Sequence, residues 1–284
     1  MRVVITPNPY RDKNLKCAVE AKEILEKVGI EASICLAFEV DKDFLLPRDV
    51  HLGELARELL RSDLLICFGG DGTLLHASKA ATYHGLPVLG VNIGTMGFMA
   101  ELEYAELSEL RRLAEQDYTL EDRMMLSVSV LRDGNEVMHD EALNDAVITK
   151  GAVARVIQLC VFCDGTEAMS YGGDGVIVCT PTGSTAYSMS AGGPILEPVT
   201  DNIVITPVCA HTLQARPVVT GGNRVIEVRI GRIGRKNAFL SVDGGRAFRL
   251  NTGDTVRIQK SVYKTRLVRL REKSFFEIIS KKFK

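Results

Sequence analysis

The sequence has no excess of charge of either sign: 35 lysines and arginines face 36 aspartates and glutamates, a net charge of −1. Non-specific nucleic-acid binding needs a cationic field to displace counterions, so this balance argues against it, while leaving room for a local basic site. Long apolar runs are also missing. No stretch approaches the ~18 residues that a bilayer-spanning helix requires, so no membrane span is expected. No secretory leader precedes the first apolar run, Val3–Thr6, which passes directly into the turn-forming Pro7-Asn8-Pro9. A soluble, cytoplasmic protein is expected. Internal repeats and low-complexity linkers are lacking. So are a Ser/His/Asp arrangement, an HExxH segment and a GxxxxGKS/T segment, which disfavours a serine hydrolase, a zincin and a Walker-type NTPase. The seven cysteines are odd in number, and several lie inside apolar runs such as Leu64-Leu65-Ile66-Cys67-Phe68, as reduced core thiols do. Cys160 and Cys163 have CxxC spacing, but residues three apart on a strand face opposite sides. No second Cys/His pair stands at zinc-finger distance, so no protein metal site is expected.

What is present is globular: 284 residues, 46% hydrophobic and 25% charged, enough for one large or two ordinary domains. Through the first hundred residues apolar runs alternate with amphipathic stretches. Val3–Thr6, Ala32–Phe38, Leu64–Phe68 and Pro87–Asn92 read as strands, and Lys13–Val28, His51–Arg61 and Thr73–His84 as helices. Leu64–Phe68 is apolar on both faces, as in a parallel sheet covered by helices. Tyr104–Gln116 reads as a connecting helix with Leu107, Leu110 and Leu113 inward. Beyond about residue 120 the texture turns to strands separated by Gly, Asn and Asp turns: Met124–Leu131, Glu136–Thr149, Val153–Asp164, Gly175–Thr180, Asn202–Val208, Arg224–Ile230, Phe239–Val242 and Thr255–Lys260. The expected fold is a doubly wound α/β domain over residues 1–118, followed by a β-rich, sandwich-like domain over 119–271. The segment 272–284, with a helix over Ser274–Phe283, is expected to rejoin the first domain.

Gly69-Gly70-Asp71-Gly72-Thr73 lies between an apolar strand and a helix, at the carboxyl end of a parallel strand where open α/β sheets bind ligands. Glycines let the backbone approach a phosphate, and the amides of the following helix complete an anion site. A carboxylate there repels phosphate, so Asp71 needs a purpose. Either it accepts a proton from an attacking hydroxyl, or it only caps the helix. Asn92-Ile93-Gly94-Thr95-Met96-Gly97-Phe98 ends the next strand with a second glycine turn, and two such turns on successive strands can line one crevice. Asn144-Asp145 sits between extended runs as a turn pair. Asp174-Gly175 precedes a strand and then Thr180-Pro181-Thr182-Gly183-Ser184-Thr185-Ala186-Tyr187-Ser188-Met189-Ser190. That run gathers the donors and acceptors that ribose, phosphate and base edges require, with Ser184 a candidate helix cap. His211 reads as structural.

Together these segments, with Pro207-Val208-Cys209-Ala210-His211-Thr212-Leu213, resemble the NAD kinase family from about residue 65 to 245. GGDGT alone is shared with lipid kinases and phosphofructokinases; TPTGSTAY after a DG is far more specific. The resemblance implies a two-domain enzyme that transfers the terminal phosphate of ATP, or of another phosphoryl donor, to the adenosine ribose 2′-hydroxyl of NAD, giving NADP. It makes Asp71 the general base. Gly70, Asp71, Gly72, Thr73 and Asn92 belong to the nucleotide site, Asn144 and Asp145 hold the dinucleotide, and Asp174 lies near the nicotinamide half. Thr182, Thr185, Ala186, Tyr187, Ser188, Met189 and Ser190 form the nucleotide pocket, and Arg155 is a further polar ligand. Mg²⁺ is expected with the donor phosphates, and a homodimer or homotetramer as the assembly, with no nucleic-acid or membrane partner. Two positions depart from the pattern: Met99 replaces leucine after Gly-Phe, and Gly245 replaces glutamine after Asp243-Gly244.

Overall fold

In a computed structural model the chain is described over residues 1–37, 52–94, 97–151, 156–232, 237–271 and 274–283. It divides into two compact units, Met1–Asp122 with Thr265–Lys284, and Arg123–Lys264.

The first unit is built on a parallel sheet. Strands β1 (Arg2–Pro7), β2 (Glu31–Ile34), β3 (Leu64–Gly69) and β4 (Val88–Asn92) lie in the order β4-β3-β1-β2, with the short β5 (Leu102–Glu103) parallel to β4. The apolar character of the central strands follows from burial on both faces: every residue of β3 and β4 is buried, and of these only Asn92 is polar. Helix α1 (Lys16–Lys27) buries Ala18, Ala21 and Leu25, and it stops at Gly29, whose φ is +80°. Its start differs from the single helix expected over 13–28. A 3-10 turn, Lys13–Leu15, comes first, and Asn14 and Leu15 take positive φ. The side chain that resolves the kink is Asp12, which accepts from the N–H groups of Cys17 (2.9 Å) and Ala18 (3.0 Å). Helix α2 (Leu55–Leu59) is shorter than the expected helix over 51–61, and His51 lies outside the described residues, as does Phe38 of the second strand. Helix α3 (Asp71–Tyr83) follows β3 directly. The segment Tyr104–Glu115 is a 3-10 helix and does bury Leu107, Leu110 and Leu113. These leucines join Ile5, Leu25, Ile66, Phe68 and Val91 in one core.

The second unit is a sandwich of two antiparallel sheets. One contains β6 (Thr119–Arg132), β7 (Asn135–Ala142), β9 (Ile157–Cys163), β10 (Thr166–Gly173), β14 (Ile226–Ile230) and β17 (Thr255–Arg269). Its order is β10-β9-β14-β17-β6-β7. The other contains β8 (Asp145–Lys150), β11 (Gly175–Cys179), β12 (Asn202–Val208), β13 (Val218–Gly221), β15 (Ala238–Val242) and β16 (Phe248–Leu250), in the order β13-β12-β11-β8-β15-β16. Inward residues of both, among them Leu126, Val128, Ile148, Leu159, Val176 and Val228, share one core. Asp133-Gly134 makes the β6–β7 hairpin with both residues at positive φ, as a two-residue turn of this kind requires. Cys160 and Cys163 of β9 do face opposite sides. Cys163 packs against the core while Cys160 Sγ lies 3.3 Å from Ser170 Oγ.

Strand β17 ends in the first unit, where Leu267 pairs in parallel with Val88 of β4. Buried Glu101 secures that end by accepting from the N–H groups of Leu270 and Arg271 and from Arg269 Nη1, at 3.1, 3.1 and 3.3 Å. The last helix, α5 (Phe275–Lys282), places Lys282 Nζ 4.2 Å from the centre of the Phe98 ring.

Candidate active site

In the first unit the chain leaves β3 at Gly69 and enters α3 at Asp71, with Gly70 extended between them. Asp71 is half-buried, and both its carboxylate oxygens are fixed by backbone donors. Phe98 N–H donates to Oδ2 at 2.8 Å and Met99 N–H donates to Oδ1 at 3.1 Å. The two glycine turns read from the sequence are thus joined through this carboxylate. Gly97 is needed at the junction, because a β-carbon there would run into Asp71 Oδ1. Each Asp71 oxygen keeps further lone-pair capacity, so the carboxylate is oriented without being used up. Thr73 is buried, and its Oγ1 accepts from Asn8 Nδ2 at 3.0 Å, tying the loop after β1 to the helix start. Asn92 is buried, with its Nδ2 donating to Glu103 Oε2 at 2.8 Å. Thr95 and Met96 lie outside the described residues.

The second unit holds the other predicted residues. Asn144 and Asp145 open β8, whose partner β11 pairs Cys179 with Asp145 and Gly175 with Thr149. The turn after β11 therefore returns to Asn144. Thr180 N–H donates to Asn144 O at 2.9 Å, and Thr180 Oγ1 donates to Leu143 O. Gly183 lies so close to the Asn144 backbone that a β-carbon would collide with its carbonyl. Thr182–Thr185 is a 3-10 turn and Tyr187–Ser190 is a single helical turn, α4. Ser184 does not cap it: Ser184 Oγ donates to Pro181 O at 2.6 Å and accepts from Leu196 N–H at 2.9 Å. Ser188 is also internal, its Oγ 2.8 Å from Thr206 Oγ1, whereas Tyr187 and Ser190 are exposed and Thr185, Ala186 and Met189 are half-buried. Asp174 stands between β10 and β11 and pairs with Lys150 Nζ at 2.6 Å. Arg155 lies outside the described residues.

Asn144 Oδ1 is buried without a hydrogen-bond partner among the described residues. A buried acceptor left this way suits a ligand donor. Beside it Asp145 is buried, and its carboxyl is pushed up to about 7, first by desolvation and then by the nearby Asp243 charge.

Two residues that shape this half escaped the sequence reading. Asp243 accepts from three successive amides, Leu143 (2.7 Å), Asn144 (2.8 Å) and Asp145 (3.0 Å), and so sets the backbone of the Asn144-Asp145 turn. Its signal was the Asp243-Gly244 dipeptide, and both residues have positive φ. Arg123 is 3% exposed and donates from Nη1 to Thr182 Oγ1 at 3.2 Å. Its signal was an arginine standing directly before the apolar Met124-Met125-Leu126.

Comparison with known proteins covers both units. Residues 3–118 match the ATP-NAD kinase N-terminal domain and residues 143–270 the ATP-NAD kinase C-terminal domain. An NAD kinase of Acetivibrio thermocellus is 36% identical over 283 residues, 98% of this chain and 96% of that protein. The crystal structure of yeast NADH kinase complexed with NADH superposes with a TM-score of 0.85 at 28% identity, over 99% of this chain and 86% of that one. An NAD kinase from Archaeoglobus fulgidus in complex with ATP shares the fold, with a TM-score of 0.74 at 24% identity over 99% and 98% of the two chains. The chain belongs to the NAD kinase family.

Proposed function

We propose that Asp71 is the base of this kinase, taking the proton of the adenosine ribose 2′-hydroxyl of NAD as that oxygen attacks the terminal phosphate of ATP. As a member of its family the protein is a phosphotransferase that makes NADP from NAD. The observation that carries the role of Asp71 is its carboxylate, at the mouth of a parallel strand and aimed by the amides of Phe98 and Met99. Phosphoryl transfer passes through a loose transition state, so positioning the hydroxyl matters as much as removing its proton, and a fixed carboxylate does both. The rival reading, that Asp71 only ties the second glycine turn to α3, uses the same two hydrogen bonds.

The dinucleotide is assigned to the second unit. Asn144 and Asp145 hold it, Asp174 faces its nicotinamide half, and Thr182, Thr185, Ala186, Tyr187, Ser188, Met189 and Ser190 border it, with Arg155 a further contact. The buried Asn144 Oδ1 supports that assignment. Gly70, Gly72, Thr73 and Asn92 are assigned to the nucleotide site of the first unit. Among the described residues no group of three or more His, Cys, Asp or Glu side chains could hold a metal. The expected Mg²⁺ is therefore best carried by the donor phosphates, whose charge it neutralises. A cytoplasmic homodimer or homotetramer completes the reading, and no helix among the described residues is long and apolar enough to cross a membrane.

The test is positional. With Mg·ATP, NAD should give NADP, and an NAD analogue lacking the adenosine 2′-hydroxyl should give no phosphorylated product. Phosphorylation of that analogue, or of a lipid alcohol in place of NAD, would overturn the assignment.

A further inference from the structure

Charge is out of balance at the glycine turns of the first unit. Residues 64–75 and 88–102, which contain both turns, carry aspartate and glutamate but no lysine or arginine. Phosphoryl transfer brings several negative charges to such a place and requires cationic donors from somewhere in the chain.

One arginine reaches it from outside both segments. The loop after β1 is held at each end. Asn8 N–H donates to Phe68 O at 2.8 Å, and the N–H groups of Arg11 and Asp12 donate to Asn8 O at 3.1 and 2.8 Å. Asn8 Oδ1 accepts from Tyr10 N–H at 3.1 Å while its Nδ2 holds Thr73. This frame carries the Arg11 guanidinium over both turns. Its Nη1 would lie 3.5 Å from a β-carbon on Gly70 and 3.1 Å from one on Gly94, a residue whose φ of +126° itself favours glycine. The neighbouring carboxylates are oriented by backbone donors. Asp12 caps α1, and Asp71 accepts from Phe98 and Met99. Lys282 lies against the Phe98 ring. Arg11 is exposed, and no ion pair to it is found among the described residues.

We propose that Arg11 binds the phosphoryl donor, its guanidinium gripping the terminal phosphate oxygens over Gly70 and Gly94. The inference rests on the reading of those turns as the donor site. A planar fork of N–H donors suits phosphate oxygens better than the point charge of a lysine, and the loop frame holds the stem of Arg11 before the donor arrives. Specificity follows from the placement. Arg11 acts on the donor and not on the dinucleotide, whose assigned residues, Asp71 apart, lie in the second unit.

The experiment compares wild type with Arg11→Ala and Arg11→Lys by steady-state kinetics, and by calorimetric binding of the non-hydrolysable ATP analogue AMP-PNP with Mg²⁺. Loss of a charge-assisted hydrogen bond predicts that Arg11→Ala raises KM for ATP about 10- to 100-fold and weakens AMP-PNP equally. KM for NAD should stay within about 2-fold, as expected when only donor binding is lost. Arg11→Lys should fall between, and the melting temperature should not move, because the side chain is exposed. Wild-type AMP-PNP affinity in Arg11→Ala, or an equal rise in both KM values, would overturn the proposal. The binding arm needs no turnover, so it separates failure at Arg11 from failure of the kinase reading itself.

Discussion

At the scale of single residues, the candidate site is shaped by carboxylates whose partners are backbone amides. Asp71 and Asp243 play matching parts in the two units: each fixes a neighbouring turn, Asp71 with two N–H groups and Asp243 with three. Only Asp71 was legible in the sequence, because GGDGT stands at a strand–helix junction and that context has a known chemical use. Asp243 was not singled out, since its targets are about a hundred positions away and no local pattern names them. Asp243→Ala leaves those three amides without their acceptor. A cost of about 1–3 kcal/mol is expected, with KM for NAD raised and KM for ATP little changed. Chemical denaturation together with the two KM values checks this, and an unchanged KM for NAD would mean that the turn holds its shape without Asp243.

At the scale of elements, α1 and α2 are shorter than expected and the second strand ends at Ile34. The central strands of the first ninety residues were legible because burial on both faces favours apolar side chains along their length. β3 and β4 show this most plainly. The same logic failed for β17. Thr255–Arg269 carries Arg257, Lys260, Lys264, Arg266 and Arg269, and only its first six residues were read as a strand. Half of such a strand faces solvent, and its last part is held by a side chain far away in sequence. That side chain is Glu101, which is 1% exposed and paired with Arg269, itself bound to Glu121 at 2.8 Å. Removing Glu101 leaves the N–H groups of Leu270 and Arg271 without their acceptor and takes one of two carboxylates from Arg269. Glu101→Ala is therefore expected to destabilise the first unit by about 1–3 kcal/mol. A loss below 1 kcal/mol in urea unfolding would show that β17 is held by its strand pairing alone. Strands β10, β13 and β16 were missed for a related reason: glycines in β10 and β13, exposed residues and, in β16, a length of three leave no clear alternation, and only pairing with neighbours defines them.

At the scale of the whole molecule, folding is coupled to pH through Asp145. Its carboxyl titrates near 7 when folded against an ordinary 3.8, because burial and Asp243 oppose its charge. Between these values the folded protein keeps a proton that the unfolded chain releases. The contribution is full below about pH 4 and is lost as the pH rises through about 7, with a slope of at most about 1.4 kcal/mol per unit. Asp145→Asn cannot ionise, so its stability relative to wild type should be greater near pH 8 than near pH 5.5; a difference that does not vary with pH would contradict this. The central claim concerns Asp71, and it is tested most directly by Asp71→Asn, with single-turnover NADP formation and NAD binding measured on the same preparation. Loss of the base predicts a rate lower by about 10²- to 10⁴-fold with the affinity for NAD preserved. A variant that turns over at the wild-type rate would make Asp71 only the tie between two glycine turns.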